Sequence, residues 1–178
     1  MITGSGLFET SVPHGGFKID RRKDALVPTW ANDDLNPVRP FEDSPCLHRI
    51  LADCPLDPEA ILKLANYFGL LIVAPEPLDL WRQEIHALRG LTVPKLAGKL
   101  SVARFRLVPV EENGAVVLRY RATRFIDAIY QRFAEEFAGV IQCARCPGCQ
   151  RWFLKSGRGD RRFCSHSCKM RAWRQAAK

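Results

Sequence analysis

The sequence predicts an α+β protein: a mainly helical N-terminal domain with one β-hairpin, then a small C-terminal treble-clef-like unit of knuckle, hairpin and helix. Three observations carry this. Two stretches, 57–90 and 122–139, repeat apolar residues at helical spacing. One stretch, 102–121, alternates apolar and charged residues around Asn113-Gly114. Four cysteines stand in two close pairs, Cys146/Cys149 and Cys164/Cys168, near the end of the chain. The 178 residues, 47% of them hydrophobic, suffice for one ordinary core and a small appended unit. The divisions read as a loop-rich segment packed on the body, 1–45, a mainly helical domain, 46–142, and the cysteine-rich unit, 143–178.

Residues 1–45 are rich in Gly, Pro, Asp and Asn, which predicts loops and at most one short strand. Trp30 and Phe41 are the residues expected to pin this segment to the core. Asn36-Pro37 and Arg39-Pro40 disfavour helix there, because a proline pushes the preceding residue out of the α region. The first firm helix begins at Asp57, a good cap, with Pro58 at the first helical position and Gly69 as the stop. Ile61, Leu62, Ala65 and Phe68 share one face of it. Pro77 opens a second helix, with Trp81, Ile85 and Leu88 inward and Gly90 at its end. LAGKLS, near residue 98, is also compatible with helix.

Further on, Ala103, Phe105 and Leu107 alternate with Arg104 and Arg106, and Leu118 and Tyr120 alternate in the return strand. Asn113-Gly114 supplies the positive φ angles of a tight turn, so 102–121 reads as a β-hairpin. In ATRFIDAIYQRFAEEFAG, 122–139, Ile126, Ile129, Tyr130, Phe133 and Phe137 follow helical spacing, and Gly139 can end the helix. That aromatic stripe reads as a packing face leading straight into the cysteine unit.

Charge is concentrated in the same unit. From Cys143 to Lys178 there are ten Lys and Arg against one acid, Asp160, whereas the preceding 142 residues carry 17 basic and 18 acidic groups. A local positive field of this kind favours polyanions, nucleic acid foremost. No run of eighteen apolar residues exists, so no membrane span is expected, and the first residues lack the layout of a secretory signal. A cytoplasmic setting is therefore expected. In such a reducing compartment, disulfides are disfavoured and clustered cysteines usually mean metal. Of the seven cysteines, five lie within 26 positions, and Cys46 and Cys54 stand alone.

Cys146-Pro-Gly-Cys149 is a tight turn that lets both sulfurs face one point. Cys164 and Cys168, at i and i+4, share a face if a helix starts at Cys164. RWFLK and RRFC read as two short strands joined by SGRGD. Knuckle, hairpin and helix then present four thiolates tetrahedrally, as in a closed structural Zn2+ site, which makes the unit a treble-clef-like zinc finger. Four thiolates also suit iron, but pairs delivered by a hairpin and a helix fit zinc better than one close cluster loop. Four protein ligands leave no open position, which disfavours hydrolytic metal catalysis. Two substitutes remain open: Cys143, which has the same spacing to Cys146, and His166, which lies inside the second pair. Trp152-Phe153 follow Cys149 as a first strand should, which favours Cys146 and Cys149. His166 falls off the ligand face.

Cys146, Cys149, Phe153, Arg161, Arg162, Phe163, Cys164, Ser165, Cys168 and Arg171 together resemble the CGNR-type zinc finger. This finger ends proteins with an N-terminal ABATE domain, regarded as stress-responsive transcription regulators. Here Cys168-Lys169-Met170-Arg171 stands where the naming tetrapeptide would be, and three residues rather than four separate the second pair. The resemblance covers about the last 36 residues. It implies a zinc-binding transcription regulator whose finger contacts DNA, with the N-terminal domain answering to a small-molecule or protein effector. A homodimer suits such a role.

The residues expected to meet nucleic acid are Arg151, Lys155, Arg158, Arg161, Arg162, Lys169, Arg171 and Arg174. Arginine forks suit phosphate oxygens, and Arg171 and Arg174 lie one helical turn apart. The alternative is a zinc-stabilised protein-interaction module with no nucleic-acid role. An enzyme is not expected: His14, His48, His86 and His166 fall in no catalytic motif, and there is no P-loop or dinucleotide-binding glycine pattern.

Overall fold

The N-terminal segment folds as short strands: β1 (Thr10–Pro13), β2 (Phe17–Asp20), β3 (Ala25–Pro28) and β4 (Leu35–Val38). The structure is a computed structural model that describes residues 8–29, 35–72, 74–112, 114–155 and 161–176. Trp30, one of the two expected anchors, lies outside the described residues. β2 and β3 form a hairpin with Phe17 opposite Pro28, and β1 pairs antiparallel with β4, Thr10 opposite Val38. This corrects the expectation of loops with at most one strand. Each strand has only four residues, too few for alternation to stand out from a Pro- and Asp-rich background. The prolines are tolerated because Pro13 and Pro28 end their strands and Pro37 sits in a two-stranded sheet, which has no central strand to interrupt. Asp20 shapes the β2–β3 turn by accepting the Arg22 N–H at 3.0 Å.

Helices then build the body. α1 (Pro40–Asp43) is a single turn with proline at its start, and α2 (Leu47–Asp53) follows. α3 (Pro58–Phe68) is capped by Asp57, whose carboxylate accepts the Ala60 N–H at 2.9 Å. Gly69 ends it with φ +92°, and a Cβ there would lie 2.5 Å from Thr10 Oγ1. Glycine is needed at this point both for its φ and for the approach of β1. β5 (Glu76–Pro77) extends the β2–β3 hairpin to three strands, and α4 (Leu78–Arg89) buries Leu78, Trp81, Ile85 and Leu88. α5 (Val93–Ser101) leads into the ribbon of β6 (Phe105–Glu112) and β7 (Ala115–Ala122), paired from Phe105–Ala122 to Glu112–Ala115. α6 (Phe125–Phe137) buries Ile126, Ile129, Tyr130 and Phe133, while Phe137 is 44% exposed.

The architecture is thus mixed α/β, with seven helices and small antiparallel sheets among the described residues once the C-terminal elements are counted. The single hairpin expected for the body is joined by β1–β4 and β2–β3–β5, because local pairing of four-residue strands leaves little trace in composition. Trp81, Phe133, Leu71, Ile61 and Ile129, each at most 1% exposed, centre one core that spans α2, α3, α4 and α6. Glu76 is buried inside it, 1% exposed. Its carboxylate accepts the backbone N–H of Leu71 at 3.0 Å and of Ile72 at 2.7 Å, and the Trp81 indole N–H at 2.6 Å. A polar group inside a core persists when its partners satisfy it. On the β6–β7 ribbon, by contrast, Leu107, Leu118 and Tyr120 face solvent. No helix among the described residues is long and apolar enough to cross a membrane.

Candidate metal centre and its basic surroundings

The C-terminal unit starts with β8 (Cys143–Arg145), which pairs antiparallel with β9 (Trp152–Leu154), Arg145 opposite Trp152. The Cys146–Cys149 knuckle is the tip of this hairpin. The Cys146 N–H donates to the Arg151 carbonyl at 3.0 Å, and the Gln150 N–H to the Cys146 carbonyl at 2.7 Å. Strand pairing therefore runs around the knuckle, not between RWFLK and RRFC as expected; Arg161–Cys164 is irregular. Arg145 and Trp152 are brought opposite each other by the same tight turn that aims the sulfurs, so the knuckle itself dictates this pairing. α7 (His166–Ala176) begins two residues after Cys164 rather than at it. Ser165 is the reason: its hydroxyl accepts the Cys168 N–H at 3.2 Å, a helix cap that leaves Cys164 on the turn before and Cys168 in the first turn.

This frame gathers the two cysteine pairs. The Sγ atoms of Cys146, Cys149, Cys164 and Cys168 all lie within 4.8 Å of one another. Cys149–Cys164 and Cys164–Cys168 are each 3.5 Å apart. Ligand bonds of about 2.3 Å in a tetrahedral zinc–thiolate site set neighbouring sulfurs about 3.8 Å apart, close to what is seen. Cys146 is fully buried and Cys168 is 8% exposed. A Cβ on Gly148 would lie 2.7 Å from the Cys168 carbonyl oxygen, so glycine lets α7 dock on the knuckle.

The electrostatics favour a thiolate where donors converge. Burial pushes the Cys146 thiol up, but the N–H groups of Cys164 and Gly148 outweigh it and bring it to about 6. The Cys164 N–H reaches that sulfur at 3.4 Å. Cys164 itself is pushed up to about 12, first by burial and then by the neighbouring thiols. Four sulfurs in this space repel as anions and share protons as thiols. A soft cation resolves the conflict by taking the place of the protons. The group is thus able to hold one metal ion.

Neither substitute joins it. His166 is exposed at the first residue of α7. Cys143 is disulfide-bonded to Cys46, with Cα atoms 6.1 Å apart at a sequence separation of 97. That pairing runs against the expectation that disulfides are disfavoured. No spacing rule links residues so distant, and Cys46, just before α2, meets β8 only because the C-terminal unit docks there. The same docking gathers a second group the sequence hides: His48 Nε2, Glu136 and Cys143 lie within 4.8 Å of one another. His48 had no visible partner in the sequence, yet its Nε2 lies 2.8 Å from the Glu136 carboxylate. Burial holds His48 below the usual histidine range despite that carboxylate. Glu136 is also paired with Arg49 at 2.8 Å, and Cys143 is committed to its disulfide, so Glu136 and Cys143 are already engaged in a structural joint, while His48 Nδ1 stays buried without a hydrogen-bond partner.

The basic residues divide by what they touch. Arg161 is turned onto the C-terminal unit: its Nε donates to the Phe163 carbonyl at 3.0 Å, another nitrogen donates to the Cys164 carbonyl, and its guanidinium lies 5.5 Å above the Phe153 ring. Arg162, Arg171 and Arg174 are exposed, Arg151 is exposed beside the knuckle, and Lys155 is half-buried. Lys169 sits 4.9 Å above the Trp173 ring. Arg158 lies outside the described residues. Arg161, Arg162, Lys169 and His166 help to line a shallow cleft of about 360 Å³ at the start of α7. Against the body, Asp53 accepts from the Trp152 indole N–H at 2.5 Å and pairs with Arg145.

No family model matches this chain, and no curated protein or solved structure matches it.

Proposed function

We propose that Cys146, Cys149, Cys164 and Cys168 hold one zinc ion, and that the finger so formed grips DNA as part of a transcription regulator of the CGNR type. The observation that carries this reading is the convergence of four sulfurs beneath an exposed basic surface. Zinc suits four thiolates supplied by a hairpin tip and a helix start, because it accepts a tetrahedral set without a redox change. It would serve as a structural ion that orders the finger; the chemistry of recognition belongs to the side chains around it.

Arg162, Lys169, Arg171 and Arg174 offer cationic heads on or beside α7, where phosphate oxygens are the natural complement. Arg161 contributes by fixing the loop that carries Cys164. Arg151 and Lys155 extend the positive surface along β9. Phosphate contacts position a duplex, and α7 is the element able to enter a groove.

Gel-shift titration of the zinc-loaded chain on mixed-sequence duplex DNA tests this. Binding is expected to weaken with salt at a log–log slope of about −0.9 for each phosphate neutralised. Double reversal, Arg171→Glu with Arg174→Glu, is expected to cost tenfold or more in affinity and to flatten the slope by about two contacts. Salt-insensitive binding, or none by the loaded protein, contradicts the proposal. So does DNA affinity untouched by the double reversal, the behaviour of a protein-interaction module.

A further inference from the structure

A cavity of about 740 Å³ lies where the finger docks on the body, walled by α2 and α3 on one side and by the β8–β9 hairpin on the other. Its size is within the range of small-molecule sites, which favour such seams between folding units. Ile50, Leu64, Phe68 and Trp152 give it apolar walls. Cys54 adds to them: burial and then Asp57 push its thiol up to about 11, so it remains a neutral thiol near pH 7.

Three cations line the same space: Lys63 on α3, Arg145 on β8 and Arg151 beside the knuckle. The only carboxylate among the lining residues, Asp53, is engaged by Arg145 and by the Trp152 indole N–H. Lys63 and Arg151 have no ion-pair partner among the described residues. An open apolar groove edged by two unpaired cations complements a ligand with an apolar body and one negative head.

We infer that this seam is a binding site for an amphipathic organic anion, its apolar part against Leu64, Phe68 and Trp152 and its carboxylate, sulfonate or phosphate group between Lys63 and Arg151. Such a ligand replaces water on the apolar walls and gives the two cations a charge-assisted partner. The site shares Arg151 with the basic surface proposed for DNA, but it needs only the docked C-terminal unit and no nucleic acid.

Titration of the purified full chain with 8-anilinonaphthalene-1-sulfonate, followed by displacement, tests it. One saturable site is expected, displaced by decanoate and at least tenfold less effectively by decan-1-ol. Lys63→Glu with Arg151→Glu is expected to weaken the probe tenfold or more; both side chains are exposed, and an unchanged circular dichroism spectrum confirms the fold. Lys63→Gln with Arg151→Gln, a milder pair, is expected to fall between. No saturable site, equal displacement by decan-1-ol, or unchanged affinity in the reversed variant overturns the inference. A failed gel shift leaves it standing, because the titration contains no DNA.

Discussion

Cys164→Ser is expected to abolish stoichiometric metal binding and to unfold the segment around α7 while the body stays folded. Cys164 contributes the sulfur that lies 3.5 Å from those of both Cys149 and Cys168, so its loss opens the site at its middle. The unit has little else to hold it. The hydrophobic core runs from Phe8 to Phe133, and beyond Ile141 the buried apolar residues among those described are Cys146 and Cys168, two of the proposed ligands themselves. In a unit of this kind metal binding supplies folding free energy on the order of 10 kcal/mol. Elemental analysis and hydrogen exchange check the result. The expected pattern is less than a tenth of an equivalent of metal, fast exchange in α7, and slow exchange in α4 and α6. A variant that keeps a full equivalent and a protected α7 contradicts the assignment of Cys164.

Glu76→Ala is expected to be the most damaging single change in the body. The residue is 1% exposed, and its carboxylate accepts from the Leu71 and Ile72 backbone and the Trp81 indole. Truncation leaves the buried Leu71 and Trp81 donors and the part-buried Ile72 N–H without their acceptor, and the combined penalty is about 3–5 kcal/mol. For a chain of this size that lowers the melting temperature by roughly 10 °C. The effect reaches past one side chain, because Glu76 ties the 71–72 backbone to α4 through Trp81. Thermal melting monitored by the near-ultraviolet signal of buried tryptophan checks it. A loss under about 1 kcal/mol would show that the polar knot is dispensable.

Helices were the legible part of this fold. α3 declared itself through Asp57, Pro58 and Gly69, and the structure uses those residues as cap, first position and stop. α4 and α6 were visible because Trp81, Ile85, Ile129 and Phe133 repeat at helical spacing over three turns or more. The β6–β7 ribbon was visible because Asn-Gly divides two alternating runs. Strands of four residues in β1–β4 were not: pairing at that length is decided by tertiary neighbours rather than by local preference. Glu76 follows Pro75 in what reads as a loop, and nothing local marks it as buried.

The candidate site divides along the same line. Cys146, Cys149, Cys164 and Cys168 were visible through spacing, since ligands close in sequence need only a turn to meet. The partner of β9 was misplaced and β8 was not read as a strand, because a hairpin around the knuckle and a hairpin after it both use RWFLK. Cys46–Cys143, His48–Glu136 and the seam cavity were hidden, because each joins positions 88 or more apart or elements from two units. His48–Glu136 is set by how α2 packs on α6, and the other two by how the C-terminal unit docks, which no short window records.

X-ray absorption at the zinc edge, on full chain purified without affinity tag or added metal, bears most directly on the metal centre. The expected spectrum is one zinc per chain with four sulfur neighbours at about 2.3 Å and no nitrogen or oxygen in the shell. A preparation without stoichiometric metal, or a shell in which imidazole or water replaces a sulfur, would contradict it.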